Sequence, residues 1–311
     1  MAYPQANPKE VGMADDVKMQ GVSRRSFLKA GAAAGALAGT VPMALASAPR
    51  TATGLVTLGR SGIKTTRLAL GTGSHGGRVQ QELGQDGFTR LVRYAYDRGI
   101  RFFETSESYG PSQQMLGEAL KGLPRESYTL LSKVTTRDGI DPKAKLDELR
   151  QNSKTDYFDV MLLHVQHTAT WVEDTRHWQD ALLEAEHRQA IRSRGASVHG
   201  LPALRRIPGN DWMQVAMIRM NHLGTIMDGE EWDAHHPGDV DEVVRHVQQV
   251  KSEGMGVLSM KLIGEGAFGP EDRRKSMRFA FQHAGVDCVT VGFKNNAEID
   301  EAIENIDRAL A

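Results

Sequence analysis

Gly99-Ile-Arg-Phe-Phe-Glu104-Thr-Ser-Glu-Ser-Tyr109-Gly110 opens with a short apolar run that stops abruptly on a carboxylate. Two later runs have the same shape: Leu130-Leu-Ser-Lys133 and Val160-Met-Leu-Leu-His164. Short apolar runs of this kind, bounded by polar and turn-forming residues, read as buried strands. Each of the three delivers a titratable side chain at its C-terminal end.

Working outward, further strands are expected at Leu68–Leu70, Gly195–Ser197, Trp212–Ile218, Met255–Met260 and Val286–Val291. With those at Arg101–Glu104, Tyr128–Ser132 and Tyr157–Leu163 the set reaches eight. Helical patterns lie between them. Phe88, Leu91, Val92, Ala95 and Val240, Val243, Val244, Val247 both follow the i, i+3, i+4, i+7 spacing of a helix with one apolar face. Thr170 to Arg194 reads as a single outer helix, with Trp171 a candidate to close over substrate. Strict alternation of strand and helix implies parallel pairing through right-handed crossovers. Eight such units predict a closed (β/α)8 TIM barrel. Val56-Thr-Leu58 and Ile63 to Arg67, around the glycine-flanked turn Gly59–Gly62, predict a preceding hairpin.

The structural rival is an open, doubly wound sheet. It would need a phosphate-binding glycine run after the first strand. Gly71-Thr-Gly-Ser-His-Gly-Gly77 does not spell that run, and no ribose-binding acid follows at the required spacing.

Composition agrees with one soluble globular domain: 311 residues, 40% hydrophobic and 25% charged. A formal net charge of -1 gives no electrostatic reason for nucleic acid or an acidic membrane as partner. The single cysteine, Cys288, excludes an intramolecular disulfide.

The N-terminus is an address. Ser23-Arg-Arg-Ser-Phe-Leu-Lys29 is the pattern of a twin-arginine signal, followed by an uncharged Ala/Gly/Leu stretch to Ala48. Ala44-Leu-Ala46 and Ala46-Ser-Ala48 both offer cleavage sites. Ala and Gly are weakly apolar and Pro42 interrupts the stretch, which argues against a stable membrane span. The expected organisation is a signal at 1–48, a linker at 49–54 and the barrel with its hairpin plug at 55–311. Export of the folded chain by the twin-arginine machinery to a periplasmic or other extracytoplasmic location follows. An uncleaved signal serving as anchor is the alternative.

The chemistry sits where such barrels place it, at the C-terminal strand ends. Glu104 and Tyr109 follow the second barrel strand, Lys133 ends the third and His164 the fourth. A carbonyl accepting hydride becomes an alkoxide and needs a proton donor. Tyrosine is a weak acid with a pKa of about 10. A lysine ammonium beside it favours the phenolate. A carboxylate orients the lysine, and a histidine directs the carbonyl oxygen.

These residues resemble the aldo-keto reductase family. Phe103-Glu-Thr-Ser-Glu-Ser-Tyr-Gly110 followed by Leu116-Gly-Glu-Ala-Leu120 is similar to the family's Asp-Thr-Ala-x-x-Tyr-Gly and Leu-Gly-Glu-Ala-Leu pattern. The resemblance runs from about Val56 to Ala309. It implies an NAD(P)H-dependent reductase of an aldehyde or ketone, with Tyr109 as general acid supported by Lys133, His164 and the carboxylate at 104. Glu104 stands where the family has Asp, so Glu104→Asp is expected to keep or raise activity. For the cofactor the resemblance implies Gly71, Thr72, Ser197, Met260, Lys261, Ile263, Gly264, Lys294 and Asn295. Val198 replaces the family's second carboxamide contact. The family's glutamine corresponds either to Gln214 or to a position lost to Met217. Arg219 and Asn221 fall near the pocket end. Lys294 and Asn295 point to NADP, whereas Glu298 and Asp300, where the family adds an arginine, leave NAD open.

Two other classes remain. One is a barrel that binds a dinucleotide or a partner protein after losing turnover, suggested by Glu104 and Val198. The other is a metal-dependent barrel hydrolase built on His164, His167, His199, His222 and the pair His235-His236. No His-x-His strand motif supports it, and no metal site is expected.

Overall fold

In a computed structural model, the structure describes residues 50–232 and 236–311. The twin-arginine segment, the proposed cleavage sites and His235 lie outside the described residues. Two short strands, β1 (Leu55–Thr57) and β2 (Lys64–Thr66), pair antiparallel with Leu55 opposite Thr66. Eight parallel strands follow: β3 (Leu68–Gly71), β4 (Phe102–Glu104), β5 (Thr129–Val134), β6 (Val160–Gln166), β7 (Arg194–Val198), β8 (Val215–Arg219), β9 (Gly256–Met260) and β10 (Cys288–Val291). They close in the order β10-β3-β4-β5-β6-β7-β8-β9.

Alternation along each strand gives two cores. Ala69, Phe102, Leu131, Leu162, Met217 and Leu258 fill the barrel interior. Leu70, Phe103, Leu130, Leu163, Ile218 and Val257 face outward to the helices. Those helices include Gly84–Asp97 and Val240–Ser252, whose buried faces are the apolar positions read from the sequence. Asp239 caps the second, its carboxylate accepting the Glu242 N–H at 2.8 Å.

The hairpin plugs the N-terminal end. Leu58 and Ile63 enter the inner core, and Arg60 donates through Nε to the Met213 carbonyl at 3.0 Å. The approach is close enough to require glycine: a Cβ on Gly59 would sit 2.1 Å from the Gly256 nitrogen.

The expected single helix from Thr170 to Arg194 is two, Trp171–Asp174 and Arg176–His187. Thr175, whose hydroxyl donates to the Trp171 carbonyl at 2.7 Å, sits at the break, and Arg194 already belongs to β7. Trp171 is buried, with its Nε1 donating to the Ala203 carbonyl at 3.2 Å. It anchors the outer layer and does not close over a ligand.

Candidate active site

At the C-terminal mouth, β4 and β5 pair with Glu104 opposite Leu131, which brings the ends of both strands together. Lys133 and Glu104 are both buried and form an ion pair from Lys133 Nζ to Glu104 Oε1. The ammonium also donates to the Thr105 carbonyl at 2.7 Å. Burial of a charge without such partners would be very costly. Burial lowers the Lys133 pKa, and the Glu104 carboxylate opposes that shift.

Tyr109, half-buried on the loop after β4, places its ring centroid 4.7 Å from Lys133 Nζ. His164, at the end of β6, stands edge-on to that ring with centroids 5.5 Å apart. Tyr109 and His164 line one cavity of about 200 Å³ together with Glu104, His199, Met217 and Met260 among others, and Lys133 lies buried behind its wall.

The electrostatics differ in one respect from the sequence reading. The Tyr109 phenol is held well above its ordinary pKa, first by burial and then by the Glu104 and Glu265 carboxylates. Lys133 lies over the ring face, already engaged by Glu104 and the Thr105 carbonyl, and its charge does not bring the phenol below its ordinary pKa. His164 is pushed well below its usual range by burial first, then by Lys133, His199 and Lys261. It is neutral at physiological pH.

Two residues that sequence reasoning missed hold its ring. Ser106 Oγ and Ser108 Oγ lie 3.0 and 2.8 Å from His164 Nδ1. Their signal was the Ser-x-Ser spacing inside the segment between Glu104 and Tyr109, which places both hydroxyls on one side of the turn.

Along β7 Ala196 and Val198 pack outward against the helices, leaving Gly195 and Ser197 on the inner side, and His199, just beyond the strand, lines the cavity. Ser197 Oγ and His199 Nε2 are buried and have no hydrogen-bond partner among the described residues. Burial holds the His199 pKa well below its usual value, with Arg219 and Lys261 adding to the shift. Gln214 is not at the site. It lies just before β8, accepting from Ser193 Oγ at 2.8 Å and donating to Glu186 at 3.1 Å. Met217 takes the cavity-lining place on β8.

Arg219 and Asn221 are structural. Arg219 Nε donates to Asp228 at 2.8 Å with both side chains buried, and the same carboxylate oxygen accepts the Gly200 N–H at 2.7 Å. Asn221 Nδ2 donates to the carbonyls of Thr225 and Lys261.

A second cavity, of about 110 Å³, adjoins the first and shares Ser74, Ile263, Glu265, Val291 and Gly292 with it. Its far end carries Arg273, Phe293, Lys294, Glu298, Glu301 and Ala302. Over the junction, Lys261 pairs with Glu265, and His75 Nε2 contacts the Glu265 carbonyl at 3.0 Å.

Of the sequence-expected cofactor residues, Gly71, Met260, Lys261 and Ile263 line the first cavity and Lys294 the second. Thr72 is buried behind the site, its hydroxyl donating to Thr105 Oγ1 at 2.9 Å. Gly264 packs on Phe268, where a Cβ would come within 2.6 Å of the ring. Asn295 caps the helix Asn296–Leu310, accepting the Glu298 N–H at 3.0 Å. Asp300 is engaged by Tyr94 and Arg98, each at 2.7 Å. Arg273, from the helix Pro270–Arg278, lines the same cavity as Lys294, and Glu301 holds its guanidinium at 2.8 and 2.9 Å.

Among the described residues no group of three or more His, Cys, Asp or Glu side chains converges as metal ligands, and no helix is long and apolar enough to cross a membrane. His164 and His199 do approach, with ring centroids 6.3 Å apart.

Comparison with known proteins places this geometry. The sequence profile of the aldo/keto reductase family matches residues 67–276, and that of the twin-arginine translocation pathway signal matches residues 21–41. The chain is 34% identical to L-galactose dehydrogenase of Arabidopsis thaliana over 117 residues, 34% of this chain and 36% of that protein. It is 25% identical to aldo-keto reductase YhdN of Bacillus subtilis over 160 residues, 47% and 48% of the two chains. These matches span less than half the length of the curated relatives. Among solved structures, a putative aldo-keto reductase from Pseudomonas aeruginosa superposes with a TM-score of 0.65 at 21% identity, covering 83% of this chain and 95% of that one. An aldo-keto reductase from Klebsiella pneumoniae in complex with NADPH gives 0.59 at 17%, covering 84% and 90%. The structural likenesses show the shared barrel, and the profile spans more than half of the sequence: this chain belongs to the aldo/keto reductase family, a family of oxidoreductases.

Proposed function

We propose that this chain reduces an aldehyde or ketone to the alcohol with NAD(P)H, Tyr109 acting as general acid. The observation that carries the reading is the Lys133 ammonium, fixed by Glu104 and the Thr105 carbonyl, lying over the Tyr109 ring beside His164. The fit to a dinucleotide rests on the two joined cavities, one reaching the reactive residues and one reaching Lys294 and Arg273. The unpartnered His199 Nε2, in the lining of the first cavity, supplies a polar group for a carboxamide, with the unpartnered Ser197 Oγ buried behind that wall. Lys261 and the backbone around Ile263 would hold the diphosphate at the junction. When bound, the cofactor supplies the hydride.

The protein's own residues then handle the oxygen. An alkoxide is a much stronger base than a phenolate, which drives proton transfer from Tyr109 against its raised pKa. The Lys133 charge, 4.7 Å from the ring centroid, stabilises the phenolate left behind. In this reading the Ser108 hydroxyl donates to the lone pair of His164 Nδ1, which puts the ring proton on Nε2, where the neutral imidazole donates to the substrate oxygen. The test is NADPH and NADH oxidation by the purified chain, from about Ser47 onward, over a panel of aldehydes and ketones.

Gly73 leaves room for the acid. A Cβ there would lie 2.7 Å from the Tyr109 hydroxyl oxygen, and its φ of -99° suits any residue. Gly73→Ala should therefore displace Tyr109 without backbone strain, lowering kcat at least about tenfold at an unchanged circular dichroism spectrum. An unaltered kcat would place the acid elsewhere.

Selection between the cofactors falls to the far cavity. Lys294→Ala should weaken NADPH binding roughly tenfold and leave NADH binding within about twofold, by fluorescence titration. An equal loss for both would mean that Lys294 does not meet the 2′-phosphate.

The same reading extends to the cell. The signal match supports export through the twin-arginine machinery of a chain organised as 1–48 signal, 49–54 linker and 55–311 barrel, to a periplasmic or other extracytoplasmic location. Fractionation with the Arg24/Arg25→Lys variant retained in the cytoplasm would bear this out.

A further inference from the structure

We propose that Thr290 is a positioning residue, clamping the Glu104 carboxylate so that Lys133 is held against Tyr109. This inference rests on the reductase reading of the same site. Glu104 carries one more methylene than an aspartate, and its two oxygens have separate partners. Oε1 meets Lys133 Nζ, while Oε2 accepts the Thr290 hydroxyl at 3.0 Å. Thr290 comes from β10, 186 residues away in sequence, and reaches the carboxylate across β3, which lies between β10 and β4 in the barrel.

Gly71, on that intervening strand, makes the reach workable. A Cβ at Gly71 would stand 2.6 Å from Thr290 Oγ1 and 2.9 Å from Glu104 Oε2, inside the contact itself. Gly71, Glu104 and Thr290 thus form one arrangement: the longer acid fills space that a side chain on β3 would take. Thr290 is buried, which strengthens a hydrogen bond to a charged oxygen and makes its loss costly. A carboxylate held at only one oxygen can swing toward the cavity it lines, taking the lysine with it.

The arrangement also revises the expectation from sequence that Glu104→Asp keeps or raises activity. A shorter acid cannot span from Lys133 to Thr290, so Glu104→Asp loses one of the two contacts.

Two measurements test the clamp. In steady-state kinetics, Thr290→Val should lower kcat about tenfold, leave KM for NADPH within about twofold, and be largely restored in Thr290→Ser, which keeps the hydroxyl. A wild-type kcat in Thr290→Val, or an equal loss in Thr290→Ser, overturns the proposal. The second measurement is thermal unfolding without cofactor. Thr290→Val should lower the Tm by about 4 °C in the wild-type background. In the Glu104→Leu, Lys133→Met background, with no carboxylate to hold, it should leave the Tm within about 1 °C. An equal drop in both backgrounds makes Thr290 a packing residue and overturns the clamp. Should wild-type protein reduce no carbonyl while the unfolding pattern holds, the reductase reading fails and the Thr290–Glu104 contact stands.

Discussion

Tyr109→Phe lowers kcat for carbonyl reduction by roughly 10³-fold, while the dissociation constants for NADPH and NADH stay within about twofold of wild type. The substitution removes one oxygen from a ring that is already wedged between Lys133 and His164. Phenylalanine preserves that packing, so the loss reports the hydroxyl alone. The asymmetry between turnover and binding is the diagnostic part. A group used only for ground-state binding would raise KM at constant kcat, whereas an acid is needed only as the alkoxide forms. His164 sits close enough to take over as donor only if it were charged. Burial and the nearby cations keep it neutral, which is why no comparable acid remains after the substitution.

Lys133→Met has the largest expected effect on stability. It leaves Glu104 buried with only Thr290 and no counter-charge, a situation that costs about 4 kcal/mol. For a chain of this size the Tm should fall by roughly 10 °C. Glu104→Leu combined with Lys133→Met should recover most of that stability, because two apolar side chains replace the pair without an orphaned charge. The recovered protein should still be inactive. Full activity in it would show that the ion pair contributes only to the fold. Calorimetry and the rate of NADPH oxidation, measured on the same preparations, separate these outcomes.

The barrel was legible because its strands are short apolar runs and its helices keep strict periodicity, as in Val240 to Val250. The reactive residues were legible because Glu104, Lys133 and His164 each end such a run. What stayed hidden was the partner of each polar atom. Nothing local links Thr290 to Glu104; only closure of the sheet through β3 brings them together. Asn295 read as a phosphate ligand, yet Glu298 three residues later marks a helix start, and the cap uses its side chain. Gln214 and Met217 both lie near β8, and register alone decides which reaches the mouth. The break at Thr175 was equally silent, since the apolar face continues through it with Trp178 and Leu182.

The most direct test follows absorbance at 340 nm while the purified mature chain and its Tyr109→Phe variant meet NADPH or NADH and a panel of aldehydes and ketones. The account predicts substrate-dependent consumption of at least one cofactor by the wild type and its loss in the variant. Tight dinucleotide binding with no hydride transfer to any carbonyl, or undiminished transfer in Tyr109→Phe, would contradict it.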